Sequence, residues 1–542
     1  MTQTNSEPQA GANSTPAIPD PNAPVPRYSW YALSVLVVIY ILNFIDRQIL
    51  SILANDIKAD LGVDDAYLGF LYGTAFAIFY ALFGIPLGKL ADSWNRVRLM
   101  TVGLTVWSAM TAFSGFAQNA ATLTVARIGV GVGEATASPS AYSLISDWFP
   151  QRLRATALAI YSSGLYIGGG ISLAIGGLVV ENWNETFPDG GPLGLAGWQA
   201  AFIAVGVPGL LLAIWVATLR EPVRGAIDGI PTPEEPHPFR GFVQELYTVI
   251  PPFTFVGAAK RGPVALAINV TVLLAAIGVA FGLTNLLDSG EGVLVSAITD
   301  QWLFLAVGYY AVFCWASALR KRDYPTFALT WGSPAFLCTV LGYGTVAFMA
   351  YSASYWGAPY AERTFEISKA DLGFWLGGGG AAGGFLGVIL GGRMADSLFT
   401  RFKSGRIWVI LFGLLSPVPF AIVQYTTESI VLFMILNVVV GALAASALGA
   451  AAASSQALVL PRMRGLATAT FFLGTTLVGL ALGPYTAGYV SARNDADLGI
   501  GVLSTLWIVP VGLVFLIAAI RLVPRAMDTL IERARAAGES IA

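Results

Sequence analysis

The sequence predicts an all-α polytopic membrane protein of about 14 spanning helices: two six-helix repeats with an inserted pair of apolar helices. Of the 542 residues, 56% are hydrophobic and only 11% are charged, whereas soluble domains carry about 25% charged residues. Long apolar segments recur along the chain, and about 20 such residues suffice to cross a bilayer. A constant shift aligns Gly131 with Gly441 and Arg154 with Arg464, which indicates that the two halves are repeats.

The apolar segments predict the order of the helices. The first six segments are 28–54, 66–90, 97–118, 120–148, 153–181 and 198–219. The inserted pair covers 263–286 and 301–319. The last six segments are 326–356, 370–394, 406–425, 429–460, 465–491 and 498–522. Residues 1–26 are polar and proline-rich without an apolar core, which is typical of a disordered tail and not of a signal peptide.

These segments divide the chain into six parts. They are a cytoplasmic tail (1–26), an N-terminal bundle (27–220), a cytoplasmic linker (221–262), the inserted pair (263–322), a C-terminal bundle (323–524) and a second cytoplasmic tail (525–542). The orientation follows from the short loops, because arginine and lysine accumulate on the cytoplasmic side. The loops opposite the N-terminus contain only four basic residues: Lys58, Arg363, Lys369 and Arg493. We therefore expect both termini in the cytoplasm and the protein in a bacterial inner membrane.

Four charged residues lie inside apolar segments: Asp46, Arg47, Arg127 and Glu134. A charge near the bilayer centre costs about 2.5–3.5 kcal/mol on insertion scales, and such residues mark transport paths when they pair or face a watery cavity. At 1.5 Å per residue, Asp46 lies about 27 Å along the first helix, while Arg127 and Glu134 lie about 10 and 21 Å along the fourth from the opposite side. All four therefore share one layer, and their pairing must be between helices.

The residue types in this layer predict proton coupling and anion binding. Burial favours a protonated carboxyl group and a nearby guanidinium favours the ionised form, so a mobile partner gives a switch. We expect the proton to be taken up by a carboxylate, Asp46 or Glu134, since the one histidine, His237, lies in the linker. The head group of a substrate is expected to bind three further residues: Arg127, Arg47 and Asn43. Two alternatives are a static buried ion network and an Arg47 that snorkels to the outer surface.

The second half lacks these charges and offers aromatic residues instead. Asn437 stands where the first half has Arg127. The predicted apolar wall of the cavity consists of Tyr343, Phe348, Tyr351 and Tyr355. A cavity that is ionic on one wall and aromatic on the other suits an amphiphile with an anionic head and a hydrocarbon tail. The alternative is that these aromatic side chains face lipid or pack between helices.

Several motifs resemble those of a known family. The run from Gly88 to Arg98 (G-K-L-A-D-S-W-N-R-V-R) resembles the loop signature of major facilitators, although Asn95 replaces their usual glycine. Arg127 with Gly131 and Gly133 resembles their fourth-helix signature, and G-W-Q-A-A-F at 197–202 resembles the start of their sixth helix. N-F-I-D-R at 43–47 with R-I-G-V-G-V-G-E-A at 127–135 resembles the spinster subfamily. The resemblance covers residues 28–522 except the inserted pair, which departs from a plain twelve-helix chain.

The loop motif also predicts a gate. Asp92 can accept hydrogen bonds from the start of an opposing helix, where a carboxylate is favoured by roughly 0.3–1 kcal/mol. The resemblance implies that this helix begins near Arg464, and that Asp396 serves the helix that begins near Arg154 in the same way. The predicted gating residues are Asp92, Arg96, Arg98, Arg154, Asp396 and Arg464. Such contacts would exist only when the cytoplasmic side is closed. The alternative is ordinary positive-inside topology with a capping acid.

The sequence therefore predicts a proton-linked secondary transporter of amphiphilic lipids that works by alternating access. The spinster resemblance implies lysophospholipids or sphingoid phosphates as substrates, and the same charged residues as the site. The alternative is a carrier of a small organic anion that binds Arg127. A non-transporting sensor and an intramembrane enzyme are remote alternatives, and the second lacks a membrane-embedded histidine and a G-x-S-x-G motif. We expect no catalytic residues, no metal, no cofactor and no nucleic acid, and a monomer that meets protons, substrate and membrane lipids.

Overall fold

The computed structural model describes residues 24–188, 190–228, 235–287 and 292–540. The predicted N-terminal tail therefore lies almost entirely outside the described residues, as does part of the linker. Fourteen long helices follow one another in the described ranges. We number them α1 (Arg27–Leu61), α2 (Asp65–Ser93), α3 (Arg96–Ser114), α4 (Ala120–Glu134, continued by Ala137–Trp148), α5 (Gln151–Thr186), α6 (Gly197–Val216), α7 (Pro263–Leu287), α8 (Gly292–Arg322), α9 (Pro334–Thr364), α10 (Lys369–Arg401), α11 (Gly405–Gln424), α12 (Ile430–Ala457), α13 (Pro461–Ala492) and α14 (Leu498–Asp528).

Twelve of these helices are long and apolar enough to cross a membrane. The remaining two, α3 and α4, complete the first half: α3 carries two arginines in its first turn, and α4 is interrupted after Glu134. The predicted fold class is confirmed, with six helices in each repeat and α7 and α8 between them. We call the side where α1 begins and α14 ends the terminal face, and the opposite side the far face.

Several helix boundaries differ from the prediction: α1, for example, ends at Leu61 and not at residue 54. The second inserted helix extends over Gly292–Arg322 and not only over 301–319. The next helix begins at Pro334, and the residues before it form a separate short helix, Tyr324–Leu329. Proline is favoured at the first position of a helix because its missing N–H would have no helical partner there. The residues between the two helices do not lower the hydropathy enough to reveal the interruption. The start of α9 predicted at residue 326 is therefore too early.

The two halves meet mainly along two pairs of helices, α5 with α10 and α2 with α13, and α1 also contacts α9. The first pair approaches closely because of glycine: a Cβ atom on Gly377 would lie 2.2 Å from the carbonyl oxygen of Gly170. One apolar core fills the first half and the far side of the contact with the second half. A second apolar core lies within the second half.

Short helices complete the terminal face. In the linker, helix Pro238–Val249 packs against α2, and helix Phe253–Lys260 follows it. After α14, helix Leu530–Ala536 packs against the short helix Tyr324–Leu329. Arg533 in this last helix donates a hydrogen bond to the Ser333 hydroxyl over 2.8 Å, immediately before α9 begins. The last residues that the structure describes are thus attached to the second half.

Candidate functional site

The four charged residues predicted from the sequence converge between α1 and α4. Asp46, Arg127 and Glu134 are at most 1% exposed, and Arg47 is 8% exposed. Arg47 Nη2 donates a hydrogen bond to Glu134 Oε2 over 2.8 Å, so the ion pair joins the two helices. Arg127 Nη1 donates to the backbone oxygen of Asp46 over 3.0 Å. The structure therefore brings all four together, with Arg47 and not Arg127 as the partner of the glutamate.

Arg47 lies in a box of aromatic rings. Its guanidinium carbon is 4.5 Å from the ring centre of Phe76, 4.9 Å from that of Phe44 and 5.0 Å from that of Tyr80. A cation over an aromatic face gains about 0.5–2 kcal/mol, more where water is excluded. The side chain of Arg47 remains 10% exposed, whereas that of Glu134 has no exposed surface. Arg47 therefore does not snorkel to the far surface, and of the four charged residues it keeps the largest exposed fraction.

The Asp46 carboxylate is the most isolated group in the cluster. Among the described residues, neither of its oxygens has a hydrogen-bond partner. The side chains of Thr111 and Trp107 on α3 lie beside it without reaching hydrogen-bond geometry. Arg127 likewise keeps Nε and Nη2 unpaired. More than nine in ten buried polar groups in native proteins are hydrogen-bonded, so this concentration of unpaired groups makes the cluster the candidate functional site.

The sequence of α4 explains how its charges reach α1. Asn119 caps the helix, because its side-chain oxygen accepts a hydrogen bond from the Thr122 N–H over 2.9 Å. Gly131 lets the helix approach α2, since a Cβ atom there would lie 2.8 Å from the backbone oxygen of Phe76. Glu134 is the last residue of this segment before the helix is interrupted. Close packing and the interruption together place Arg127 and Glu134 against α1.

The other predicted binding residues take different places. Asn43 is buried beside the Glu134 carboxylate, and its amide nitrogen is unpaired. Tyr343 stacks on Phe471 and belongs, with Phe348, to the core of the second half. Tyr355 is fully buried. Of the predicted apolar wall, only Tyr351 is partly exposed.

The aromatic pair at Tyr355 joins the two halves. Its ring stacks on Tyr72 of α2, with ring centres 4.1 Å apart. Tyr72 donates a hydrogen bond to Gln48 Oε1 over 2.9 Å, and Gln48 Nε2 donates to the backbone oxygen of Ser354 over 2.9 Å. Tyr351, one turn closer to the terminal face, packs against both apolar cores and lies within electrostatic range of Arg47. Tyr351 and the fully buried Tyr355 are therefore the aromatic residues of the second half placed near the charged cluster.

The predicted gating residues of the terminal face do not contact one another across the halves. Asp92 makes no hydrogen bond to α13 in the described chain. Arg154 donates to Asp228 of the linker over 3.0 Å, and Asp396, with a side chain 78% exposed, lies 3.6 Å from Arg406. Arg464, at the start of α13, is exposed. The predicted contacts remain a prediction for a conformation in which the terminal face is closed.

The loop motif instead organises the first half. Arg96 is fully buried and donates to Glu221 Oε1 over 2.7 Å, to the Ser143 hydroxyl over 2.8 Å and to Asp147. It thereby joins α3, α4 and the start of the linker. Arg98 is exposed, and its N–H donates to the Asn95 side chain over 2.8 Å. The asparagine that replaces the usual glycine therefore caps α3.

The halves are joined on the far face. Asp65, fully buried at the start of α2, accepts hydrogen bonds from Arg363 of α9 at 2.7 and 2.8 Å, from Lys58 at 2.9 Å and from the Ser491 hydroxyl at 2.8 Å. A second group adds Lys369 of α10, which pairs with Asp56 and, over 2.9 Å, with Glu362. We call these residues the far-face lock: Asp56, Lys58, Asp65, Glu362, Arg363 and Lys369. Sequence reasoning used three of them only as loop charges.

The sequence matches the family model of the Major Facilitator Superfamily over residues 36–361. The chain belongs to the major facilitator superfamily. It is therefore an integral membrane protein with the fold of a transporter family, whose members are not enzymes.

Several known major facilitators are similar to it. An MFS-type efflux pump of Mycolicibacterium smegmatis is 26% identical over 92% of this chain and 91% of its own. Protein spinster of Drosophila melanogaster is 27% identical over 40% of this chain and 34% of its own. A probable galactarate/D-glucarate transporter of Bacillus subtilis is 28% identical over 36% of this chain and 41% of its own.

Solved structures resemble this major facilitator over nearly its whole length, and a bacterial protein is among them. It is a bacterial homologue of the human lysosomal transporter Spinster, crystallised in an inward-facing and unoccupied conformation. The TM-score is 0.65 and the identity 25%, over 94% of this chain and 98% of the other. The predicted resemblance to the spinster subfamily is thereby confirmed.

Replacing Arg363 with alanine is expected to open the far face. Asp65 would lose two of its hydrogen bonds, and a hydrogen bond to a charged group is worth about 1.5–3 kcal/mol, so the equilibrium would shift about tenfold or more. The measurement is the distance between spin labels at Glu185 and Glu428, which lie on the far face of the two halves. Arg493→Ala, which removes a far-face charge outside the lock, is the control. An unchanged distance in Arg363→Ala would show that the lock does not hold this face closed.

Proposed function

We propose that this major facilitator is a proton-linked secondary transporter of amphiphilic lipids with an anionic head group, such as lysophospholipids or sphingoid phosphates. It works by alternating access between the terminal and far faces. The observation that carries the proposal is the buried cluster of Asp46, Arg47, Arg127 and Glu134, in which charges are concentrated and incompletely paired. The similarity to a bacterial Spinster homologue supports the same assignment.

Arg47 is the group proposed to bind the anionic head. It uses one nitrogen on Glu134 and keeps Nε without a partner, so it has donors left for a phosphate or carboxylate. A guanidinium suits such groups because it presents several N–H donors in a planar fork. Asn43 adds an unpaired amide nitrogen beside it. Arg127 has no exposed surface, so it is not proposed to touch the head group. It positions α1 by its hydrogen bond to the backbone oxygen of Asp46.

Asp46 is the group proposed to carry the proton. Burying an isolated ionised carboxylate is costly, whereas a protonated carboxyl group can be buried at far lower cost. Both oxygens of Asp46 lie without a hydrogen-bond partner among the described residues, while Glu134 is already paired with Arg47. When a head group draws Arg47 away, Glu134 loses its counter-charge and becomes a second proton acceptor. Substrate and proton would thus be linked through one ion pair.

The hydrocarbon tail is proposed to lie along the second half. Tyr351 adjoins Arg47 from α9, and α9, α10 and α12 carry no charged side chain at the depth of the cluster. An anionic head on Arg47 would therefore leave an attached chain against apolar and aromatic surface. Tyr343 and Phe348 belong to the core of the second half, so they are proposed to support the wall.

The terminal face is proposed to be cytoplasmic, in a bacterial inner membrane. In the described chain, side-chain hydrogen bonds between the first and second halves lie toward the far face, as at Asp65, Asn55 and Gln48. Within the described ranges of the chain, the contacts predicted for Asp92 with α13 and for Asp396 with α5 are not formed in this conformation. With the terminal face in the cytoplasm, this arrangement is an inward-facing conformation. We propose that the transporting unit is a monomer, because one chain supplies both the charged cluster on α1 and α4 and Tyr351 of the second half.

A second candidate function is transport of a small organic anion. The similarity to a probable galactarate/D-glucarate transporter favours it, and Arg47 would bind a carboxylate as readily as a phosphate. The two candidates differ in what fills the second half beside Tyr351. A sugar acid needs hydrogen-bond partners there, whereas a hydrocarbon chain needs none.

Uptake into proteoliposomes tests the proposal. We expect lysophospholipids or sphingoid phosphates, and not soluble sugar acids, to be transported and to raise the unfolding temperature of the purified protein. Tyr351→Ala is expected to weaken uptake of long-chain more than short-chain lysolipids, since each buried methylene contributes about 0.8 kcal/mol. Trp507→Ala, which removes an 83% exposed aromatic residue, is the control. Stabilisation and uptake by sugar acids alone would establish the second candidate.

A further inference from the structure

We call the two contacts between the halves the α5/α10 seam and the α2/α13 seam. They differ in whether a further helix packs over them. At the α5/α10 seam, both helices otherwise pack against members of their own halves. At the α2/α13 seam, a third helix, α8 of the inserted pair, contacts both partners. The family fold needs only the twelve helices of the two repeats, so this cover is an addition of the inserted pair. Its position suggests a function in access to the charged cluster.

Aromatic side chains attach α8 to both helices of the seam. The ring of Phe304 packs edge-on against Phe70 and Phe79 of α2, with ring centres 5.2 and 5.9 Å away. Trp302 packs against Tyr485 of α13 at 6.3 Å, and Tyr309 donates a hydrogen bond to the backbone oxygen of Leu477 over 3.4 Å. The contacts extend over more than one turn of α8. The helix therefore lies along the seam and does not merely touch one of its sides.

A polar bridge lies beneath these rings. Gln301 and Thr74 are both fully buried. The Thr74 hydroxyl is 2.5 Å from Gln301 Oε1 and 2.7 Å from the backbone oxygen of Ala481, and Gln301 Nε2 donates to the same backbone oxygen over 3.3 Å. One side chain of α8 thus bonds to both halves of the protein.

The bridge lies where α2 and α13 both depart from regular α-helix. Leu71–Ala75 and Thr475–Leu480 are π-helical segments that face each other across the seam. Such segments are rare and are frequently found at functional sites. A polar group exposed to lipid at this depth without a partner costs several kcal/mol. The bridge is therefore stable only while α8 keeps lipid away from it.

We propose that the inserted pair seals the α2/α13 seam against the bilayer, so that an amphiphile reaches Arg47 from the bilayer along the α5/α10 seam. The seal itself requires no substrate, but the access route rests on the proposed lipid transport. At the α5/α10 seam, close contacts run from Gly177 beside Lys369 to Tyr166 beside Gly384. We propose that the terminal half of the seam, beyond these glycine contacts, is the path for a chain whose head enters between the halves.

Photolabelling in lipid nanodiscs tests the seal with the full chain. The first probe is a phosphatidylcholine with a diazirine in its acyl chain, and labelled residues are identified by mass spectrometry. In the wild type we expect labels near Ser163 and Val388, which flank the terminal half of the α5/α10 seam, and few labels on Phe79 or Leu477. Gln301→Leu, which removes the bridge, should raise labelling at the α2/α13 seam several-fold.

Phe304→Ala is the second variant, because it removes the ring that packs against α2 and leaves the hydrogen bonds of Gln301 in place. Leu274→Ala, on the exposed side of α7, is the control and should change nothing. Equal labelling of both seams in the wild type would overturn the seal. A diazirine lysophospholipid is the second probe: its labels should follow the α5/α10 seam. If phosphatidylcholine labels the α5/α10 seam more than the α2/α13 seam but no lysolipid is taken up, the seal is retained and the proposed substrate is overturned.

Discussion

Asp46→Asn is expected to remove the response of transport to a pH gradient while leaving substrate exchange without a gradient. The carboxamide has the shape of the protonated carboxyl group but cannot release a proton. A gradient of one pH unit is worth 1.36 kcal/mol per proton, so a transporter coupled to one proton accumulates substrate about tenfold in such a gradient. The variant should show no accumulation above the value without a gradient.

The measurement is uptake of a labelled lysolipid into proteoliposomes at equal and unequal pH. The direction of the gradient that drives wild-type uptake also distinguishes symport from antiport. Asp371→Asn, which removes an exposed carboxylate in the first turn of α10, is the control and should keep the full response. A full response in Asp46→Asn, with none in Glu134→Gln, would move the proton site to the glutamate.

The fold of this protein follows from sequence more completely than its site. Hydropathy finds all fourteen helices, because the requirement for apolar length acts on each segment independently. It does not find the break at Ser333–Pro334, where the helix start depends on backbone chemistry and not on polarity. It also finds the charges within the apolar segments, since their insertion cost makes them conspicuous in any spanning helix.

Pairing between helices is less accessible to sequence reasoning. Depth along the helices places Arg47 and Arg127 in the same layer but does not decide which one faces Glu134, because rotation of each helix is set by packing. The aromatic box around Arg47 was missed for the same reason: Phe76 and Tyr80 lie in a helix that is apolar all round. Their spacing of four residues, which puts them on one face, was the available signal.

The far-face lock shows a different limit. In the sequence, Lys58, Arg363 and Lys369 stand out only as basic residues of the loops opposite the N-terminus. Their small number there indicates the orientation of the chain. Their function in the structure comes from acidic partners distant in sequence, above all Asp65, which is buried only because α9 and α13 cover it. No local pattern contains that information. Where one side of the membrane has few basic residues in its loops, those at helix ends are nevertheless worth considering as gate residues.

Breaking the pair of Arg47 and Glu134 is expected to destabilise the protein strongly. Glu134→Gln would leave a guanidinium in its aromatic box without a counter-charge, and removing one partner of a buried pair costs about 3–5 kcal/mol. The exposed pair of Lys403 and Asp528 is the matched control, with side chains 54% and 55% exposed. Asp528→Asn should cost at most about 1 kcal/mol, because solvent screens that pair. Unfolding of the purified variants in detergent measures both.

The double variant Arg47→Met/Glu134→Met separates stability from function. Replacing a buried ion pair with apolar residues of similar volume is often neutral, so most of the loss in Glu134→Gln should be recovered. Transport should not recover, since the cation proposed to bind the head group is gone, and lysolipid should no longer raise the unfolding temperature. If the double variant transports and is stabilised like the wild type, the ion pair is only a structural element. Recovery of stability without transport would instead show that these charges are retained for the substrate and the proton.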